Sequence, residues 1–259
     1  MHTAEQLMHD LAALGVQAGD TVLMHSSYKS LGGIEGGAKG FFDAFLDLLG
    51  KDGTLVLPAL SYASVTREQP HFDVLSTPSC IGYLPEYFRT QVDGVQRSVH
   101  PTHSCCAVGK QANFLCGMHH LDRTPVGPHS PFARLTQVQG KILILGSHPA
   151  HNTSLHGVEE TAEPEYLFDR SAPIVYTVTD AQGRTSQATH LRHAFHFPDR
   201  DYEQHYDRII GLLDETEVSL GKVLDANCVL MDAAAVWCKG HEALVKDPLY
   251  FTEIVYHQA

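Results

Sequence analysis

The sequence predicts an α/β fold, a layered α/β/α arrangement around a mixed sheet, followed by a smaller C-terminal α+β part. Short apolar blocks with the length of buried strands alternate with amphipathic helical segments up to about residue 170. A hairpin pattern then interrupts that alternation, and no flexible linker separates the two parts. We therefore expect a single domain over residues 1–259, with a main part at 1–170 and a smaller part at 171–259.

The main part carries the alternating pattern. The predicted strands cover residues 21–25, 53–58, 105–108 and 141–146, and the predicted helices cover 3–14, 38–49, 84–89, 111–119 and 132–138. Leucines on one face define the first helix, which Gly15 ends. Because strands and helices alternate, we expect a largely parallel sheet that is covered on both faces.

The pattern after residue 169 is different. Two alternating runs that flank an Asp-Ala-Gln-Gly turn predict a hairpin over residues 174–189. We further predict a helix over 202–214, a strand over 222–230, and a helix over 232–246 that Asp232 caps. These elements form the smaller part, packed on the main sheet.

Composition limits the classes of partner. With 18 Lys and Arg against 30 Asp and Glu, the formal charge of -12 argues against a nucleic-acid partner and suits a cationic small molecule. No apolar run reaches the length of a membrane span, and the N-terminus lacks the features of a signal peptide, so we expect a cytoplasmic protein. The six cysteines lack CxxC spacing and are expected to be reduced thiols.

Residues 152–160 contain a histidine with two nearby carboxylates. A helix that begins at this point places His156 in its first turn, and Asn152 or Thr153 is a suitable cap. Its unpaired backbone N–H groups can stabilise developing negative charge. A capped surface helix with a solvated face would give the same pattern.

The two carboxylates of this run give His156 a chemical role. Glu159 and Glu160 lie three and four residues further on, so either can sit beside the imidazole, and spacing alone does not choose between them. A carboxylate that accepts from one ring nitrogen leaves the other nitrogen free to act as a general base.

Two polar loops precede this run. Residues 26–37 are rich in glycine and hydroxyl groups, and they join a strand to a helix, an arrangement that can present backbone N–H groups to a phosphate. They match neither of the standard nucleotide-binding fingerprints. Residues 95–104 place two histidines, hydroxyls and an arginine just before a strand, and ligands bind at strand ends in α/β sheets.

Together these segments resemble the aminoglycoside N3-acetyltransferase family of acetyl-CoA-dependent enzymes. Each matching piece is short, but their order and spacing make the resemblance specific. The pieces are His25-x-Ser27, Ser30-Leu31-Gly32, Gly36-Gly37, residues 53–58 and 82–89, Arg97-Ser98 with His100-Pro101 and Ser104, Ser130-Pro131, the T-x-x-H-x-x-E run at 153–159, Arg192-His193 and Asp247-Pro248.

The resemblance implies a layered mixed α/β fold, acetyl-CoA as cosubstrate and no metal. It implies that His156 is the general base and Glu159 its orienting carboxylate, with direct transfer of the acetyl group. An acyl-enzyme route through Ser104 or Cys105 is the alternative. The residues implied to contact the cosubstrate are Ser27, Ser30, Leu31, Gly32, Ser98, His100, Pro101, His103 and Ser104.

The acceptor is less closely defined. The resemblance implies the 3-amino group of the deoxystreptamine ring of an aminoglycoside, although the family also includes members that acetylate other amines. Acidic runs at 159–165 and 199–203 can line a cationic pocket or form solvated faces. We expect a monomer or a homodimer.

Two other functions are compatible with parts of the sequence. His190, His193 and His196 recur at every third residue, and His100 and His103 have the same spacing, so histidine ligands for the zinc of a metal-dependent hydrolase are the alternative; in a chain with 18 histidines this spacing also arises easily by chance. The sequence has no HExxH motif, and we expect no metal. The other alternative is a non-catalytic CoA-binding protein, against which the complete T-x-x-H-x-x-E run argues.

Overall fold

The computed structural model describes residues 1–257, which form one large mixed sheet, two small sheets and seven α-helices. The helices are α1 (Ala4–Leu14), α2 (Gly37–Leu49), α3 (Tyr83–Gln91), α4 (Ala112–Cys116), α5 (Pro131–Arg134), α6 (Ser154–Ala162) and α7 (Ala233–Lys246). The strands are β1 (Thr21–Ser26), β2 (Thr54–Pro58), β3 (His71–Asp73), β4 (Gln96–Arg97), β5 (Cys105–Gly109), β6 (Lys141–Leu145), β7 (Ile174–Thr179), β8 (Thr185–His190), β9 (Arg200–Gln204), β10 (Val218–Val223), β11 (Ala226–Asp232) and β12 (Thr252–Tyr256).

The large sheet has seven strands in the order β10-β11-β6-β1-β2-β5-β4. At its centre, β1 runs parallel to both β2 and β6, and every other pairing is antiparallel. The mixed sheet is confirmed, but the expectation of a largely parallel sheet is wrong. Side-chain periodicity records which faces of a strand are buried and does not record the direction of its neighbours.

The two faces of the sheet carry separate hydrophobic cores. Successive side chains of β1 point to opposite faces, so Val22 and Met24 pack into the core under α1 and α2, whereas Leu23 packs into the core under α6 and α7. The capping box of Thr3 with Gln6 starts α1, and Gly15 ends it in the left-handed conformation, as predicted. This two-sided packing fixes β1 as the central strand.

The C-terminal region is divided between the large sheet and smaller structures. The hairpin β7–β8 pairs with β3, and β9 pairs with β12. In contrast, β10 and β11 form an antiparallel pair that extends the large sheet next to β6. Residues on both sides of position 170 therefore build the same central sheet. No helix within residues 1–257 has the length and apolar character needed to cross a membrane.

Two predicted elements of this region are wrong. The helix predicted over 202–214 is the end of strand β9 followed by a 3₁₀ helix at Tyr206–Leu212. The strand predicted over 222–230 is a hairpin, because the chain reverses at Leu224, which adopts a left-handed conformation (φ 52°) without a glycine to signal it. The helix that Asp232 caps is confirmed as α7, and the side chain of Asp232 accepts from the Ala235 N–H.

A close contact with α7 sets the position of α6. A Cβ atom at Gly157 would overlap the Trp237 indole, and one at Gly240 would press against Val158. The two helices can approach this closely only because both positions are glycine. The packing holds α6 with its first turn beside the carboxyl ends of the central strands.

Candidate active site

A cavity of about 630 Å³ opens at the carboxyl ends of the three parallel strands. Ser26 at the end of β1, Pro58 at the end of β2 and Ser147 just after β6 all line it. In α/β sheets, ligands bind outside the carboxyl ends of the strands, where neighbouring connections diverge. The volume is typical of a pocket for a small molecule.

His156 lies in the first turn of α6 and lines this cavity. Its Nδ1 is 2.7 Å from the Tyr206 hydroxyl, which donates to Glu159 Oε2 at 2.6 Å. The direct separation between His156 Nδ1 and Glu159 Oε2 is 3.5 Å, so Tyr206 mediates the contact between the imidazole and the carboxylate. A second tyrosine, Tyr166, donates to Glu159 Oε1 at 2.7 Å.

This chain of hydrogen bonds assigns the protons. Burial beside Glu159 raises the pKa of Tyr206 well above its usual value, so the hydroxyl stays protonated. Since a phenol has only one proton and Tyr206 gives it to Glu159, the oxygen of Tyr206 must accept from His156 Nδ1–H. The Nε2 atom of His156 is then the unprotonated nitrogen, and it can take a proton from a ligand.

Glu160 has a different partner. Its Oε1 lies 2.8 Å from His193 Nε2 and accepts from the Val126 N–H at 2.7 Å. Burial raises the pKa of Glu160 to about 7, and burial also lowers the pKa of His193 well below its usual value. Helix spacing alone did not show which carboxylate lies beside His156. In the structure, Glu159 contacts His156 through Tyr206, and Glu160 contacts His193. Both carboxylates are buried, so this run is not a solvated face.

The start of α6 is capped differently from the prediction. Thr153 occupies the cap position without a side-chain capping bond, and Asn152 Oδ1 accepts from the Ser154 N–H at 3.1 Å. The N–H groups of Leu155 and His156 have carbonyl acceptors within the same turn. The backbone N–H groups of residues 154–156 are therefore already engaged, in contrast to the expectation that they would be free to bind an anion.

Several polar groups around the cavity have no partner within residues 1–257. They are Nε2 of His25, the hydroxyls of Ser26 and Ser147, and Nδ2 of Asn152, all buried and all on residues that line the cavity. Buried polar groups almost always find a hydrogen-bond partner. Four unpaired groups around one cavity indicate a place where a polar ligand or water binds.

The histidines do not converge as their sequence spacing predicts. His190 is buried and packs edge-on against His100, whereas His196 is exposed and pairs with Asp201. Only His193 of that set reaches the rings of His103 and His156, with centroids 5.7 and 4.8 Å away. The three residues of the every-third pattern therefore do not form one metal site.

A family model described as aminoglycoside 3-N-acetyltransferase matches residues 23–244. The chain belongs to the aminoglycoside 3-N-acetyltransferase family. Aminoglycoside N(3)-acetyltransferase VIII of Streptomyces fradiae is 37% identical over 178 residues, and the alignment covers 62% of this chain and 62% of that enzyme. This match thus spans less than two thirds of the relative's own length.

Solved structures extend the likeness to nearly the whole chain. A histidine-to-alanine mutant of aminoglycoside acetyltransferase AAC(3)-IVa, in complex with a gentamicin, gives a TM-score of 0.79 at 26% identity, covering 96% of this chain and 91% of that one. AAC-IIIb in a binary complex with CoASH gives 0.78 at 28% identity, covering 94% and 96%. The predicted family, mixed α/β fold and transferase class are confirmed.

The polar loop before β5 does not present its side chains to the cavity as the family resemblance implies. Ser98 bonds to His119 Nδ1 and to the Cys105 N–H, and Ser104 accepts from Arg97 and donates to the Ala59 carbonyl. His100 and Pro101 are buried behind the cavity wall as well. Of the residues implied to contact the cosubstrate, only His103 lines the cavity.

Apart from Ser26, the glycine loop of residues 26–37 does not line the cavity. Ser30 donates its hydroxyl to the carbonyls of Ser27 and Gly146, and Leu31 is buried in the core. Gly32 is left-handed (φ 76°), and a side chain there would collide with the Asp225 carboxylate. A phosphate at Gly32 itself would meet that negative charge. Within this loop, Ser26 is the residue that lines the cavity.

The residues named for an acyl-enzyme route are inaccessible. Ser104 and Cys105 are fully buried, and burial raises the pKa of the Cys105 thiol well above its usual value. Neither lines the cavity. His156, in contrast, lines the cavity.

Proposed function

We propose that the protein transfers the acetyl group of acetyl-CoA to an amino group of an aminoglycoside, the 3-amino group of the deoxystreptamine ring, with His156 as the general base. The observation that carries this proposal is the hydrogen-bonded chain from His156 Nδ1 through Tyr206 to Glu159. It leaves Nε2 as the proton acceptor on a ring that lines the cavity. Family membership and the solved relatives with CoASH and gentamicin support the two substrates.

The reaction needs no enzyme nucleophile. The acceptor amine attacks the thioester carbonyl while His156 Nε2 takes its proton, and a C–N bond forms. Collapse of the tetrahedral intermediate breaks the C–S bond, and the departing thiolate takes the proton back from His156. Tyr206 and Glu159 hold the imidazole and stabilise its charged form while it carries that proton.

Asn152 is our candidate for stabilising the oxyanion. Its Oδ1 accepts from Ser154 N–H, which fixes the orientation of the amide, so that Nδ2 is the free donor. Asparagine side chains provide this kind of donor in other acyl-transfer enzymes. The unpaired hydroxyls of Ser26 and Ser147 lie on residues lining the same cavity and are suited to the polar groups of a pantetheine arm.

The rest of the cosubstrate lies, in our proposal, across the Ser26–Ser27 end of the glycine loop, with His103 on the cavity side. The remaining implied contacts would require the loops at 30–32 and 98–104 to rearrange, because their polar groups are buried or already bonded. A supply of acetyl-CoA and the free cysteines both suit a cytoplasmic enzyme.

One observation favours a second acceptor class. No Asp or Glu lines the cavity within residues 1–257, although Arg192 does. The carboxylate of Asp201 lies 2.9 Å from Nδ1 of His196, an exposed residue that lines the cavity, but Asp201 itself does not line it. A smaller or less charged amine is therefore the alternative acceptor for the same transfer chemistry.

The deciding experiment follows thiol release from acetyl-CoA with gentamicin-like, neomycin-like and apramycin-like sugars, and with simple amines. Turnover of the sugars well above that of the simple amines supports the proposal, and the reverse order supports the alternative. Calorimetry with CoA and acetyl-CoA tests the donor, and no binding of either would remove acetyl-CoA from the proposal.

The assignment of the base has its own test. We expect His156→Ala to lower turnover by about 10²–10⁴-fold, the range typical of a lost general base, while CoA binding measured by calorimetry is retained. His129→Ala, which removes a histidine that bonds to Asp122 and does not line the cavity, is the matched control. Wild-type turnover in His156→Ala would show that another group takes the proton.

A further inference from the structure

Three histidine rings from distant parts of the chain meet at the cavity. His103 comes from the loop before β5, His156 from α6, and His193 from the segment after β8. Each offers one ring nitrogen, and the three nitrogens lie within 4.8 Å of one another. All three residues line the cavity, so an ion from solvent can reach them.

One nitrogen of each ring already has a hydrogen-bond partner. Thr102 Oγ1 lies 2.9 Å from His103 Nδ1, Tyr206 lies 2.7 Å from His156 Nδ1, and Glu160 lies 2.8 Å from His193 Nε2. Metal-binding histidines characteristically donate the second ring N–H to a carboxylate or another acceptor, which fixes the tautomer and orients the ring. Here all three rings have such a partner before any metal is considered.

Three imidazoles in one place also indicate which metal ions the site would bind. Neutral imidazole is the form that binds a metal. Imidazole suits Zn²⁺ and neighbouring transition metals, whereas Mg²⁺ and Ca²⁺ prefer oxygen ligands.

We propose that His103, His156 and His193 form a three-histidine site for Zn²⁺, and that the bound ion blocks acetyl transfer. Three histidines and an open fourth position form a known zinc arrangement, and the fourth position here would face the cavity. Zn²⁺ at His156 Nε2 occupies the lone pair that takes the proton from the amine. The second half of this proposal rests on the proposed function, whereas the metal site stands without it.

Measuring metal binding directly tests the three-histidine site independently of any enzymatic activity. Co²⁺ replaces Zn²⁺ as a visible probe, because tetrahedral Co²⁺ absorbs strongly, and competition with a chromophoric chelator gives the affinity for Zn²⁺. We expect one ion per chain in wild type, displacement of Co²⁺ by Zn²⁺, and loss of this binding in both His103→Ala and His193→Ala. His196→Ala removes an exposed histidine of the same cavity and should bind like wild type.

A gentler variant protects the test against misfolding. Glu160→Gln keeps the shape of the side chain beside His193 and replaces its carboxylate with a neutral amide. Changes to such a partner of a metal-binding histidine lower metal affinity by about 10–100-fold. Equal affinity in wild type, His103→Ala and His193→Ala would overturn the site, as would a loss in His196→Ala of the same size. Circular dichroism confirms that each variant is folded.

Kinetics then separates the two proposals. If both hold, Zn²⁺ inhibits thiol release from acetyl-CoA in step with the binding curve, and a chelator restores activity. His103→Ala, which keeps His156, should need more Zn²⁺ for the same inhibition. Specific binding without any effect on turnover would overturn the blocking role and leave the site intact. Binding to a protein that has no transferase activity would instead remove the proposed function.

Discussion

Glu159 and Glu160 are adjacent on α6, and their carboxylates meet different histidines. Glu159 reaches His156 through the Tyr206 hydroxyl, whereas Glu160 contacts His193 directly at 2.8 Å. Both are buried, and both sit beside a ring that lines the cavity. The pairs therefore resemble each other in composition and differ in how the proton is held.

That difference supports the proposal that His156, and not His193, is the general base. Each oxygen of Glu159 accepts from a tyrosine hydroxyl, and the Tyr206 hydroxyl that donates to it accepts in turn from His156 Nδ1–H. Glu160 accepts from the Val126 N–H, lies 2.8 Å from His193 Nε2 and has a further hydrogen bond to Thr124, yet burial still raises its pKa to about 7. A carboxyl group that is partly protonated near neutral pH is a poor partner for a developing imidazolium.

The largest expected difference lies between Glu159→Gln and Glu160→Gln. In Glu159→Gln, the amide NH₂ faces one of the two tyrosine hydroxyls, which then loses its acceptor. A hydrogen bond to a charged group contributes about 1.5–3 kcal/mol, so we expect turnover to fall about 10–100-fold. Glu160→Gln should lower turnover by less than about tenfold, and CoA affinity should be unchanged in both.

Steady-state thiol release and calorimetry measure these values. Equal losses of turnover in the two variants would mean that the two carboxylates share one role. A larger loss in Glu160→Gln would move the base from His156 to His193, since that ring alone bonds to Glu160.

The next effect compares the two tyrosines on Glu159. Tyr206→Phe removes the hydroxyl between His156 and Glu159, whereas Tyr166→Phe removes a hydroxyl that bonds to Glu159 and does not contact His156. We expect Tyr206→Phe to lower turnover about tenfold, corresponding to about 1.4 kcal/mol, with most of the loss in kcat. Tyr166→Phe also removes a tyrosine hydroxyl that donates to Glu159. It therefore measures the effect of removing one hydrogen bond from Glu159 without changing the contact to His156.

The pH profile of turnover provides the second readout. Tyr206→Phe removes the hydroxyl that accepts from His156 Nδ1–H, so we expect it to shift the acidic limb of the pH profile of turnover. Tyr166→Phe should leave that limb in place. Identical profiles and identical kcat values in the two variants would contradict a mediating role for Tyr206.

The sequence predicted the central elements because their local signals are strong. Apolar periodicity and capping residues are visible within a short stretch of sequence, and they predicted the positions of β1, α2, β2, β6 and α7. The T-x-x-H-x-x-E spacing likewise placed His156 and Glu159 on one turn of α6, since residues three apart on a helix are neighbours. These are contacts along the chain, which sequence periodicity records.

The missed parts depend on contacts across the chain. Tyr206 lies 50 residues from His156, in a segment predicted to be helical, and nothing in its local sequence indicates a hydroxyl bound to the site. The antiparallel direction of β5 and β11 is set by their connections, not by side-chain pattern.

The smallest expected effect concerns stability and the raised pKa of Glu160. Glu160 has a folded-state pKa of about 7, above the ordinary value of 4.5, so the folded protein favours the protonated carboxyl group. The stabilisation of the folded state by this group is therefore complete below pH 4.5 and is lost as pH rises through 7. Glu160→Gln removes this titration. We therefore expect the free energy of unfolding of Glu160→Gln, relative to wild type, to increase from pH 5 to pH 8 by about 1 kcal/mol or more.

Urea unfolding at pH 5, 6, 7 and 8 measures this difference. Burial lowers the pKa of His25 to about 3 and that of His190 to about 4, so these buried histidines destabilise both proteins as pH falls. That effect has the opposite sign to the Glu160 contribution, and it cancels when the variant is compared with wild type at each pH. A difference that stays constant across the range would mean that Glu160 is ionised throughout, like an ordinary carboxylate. The contrast between the two pairs would then rest on Tyr206 alone.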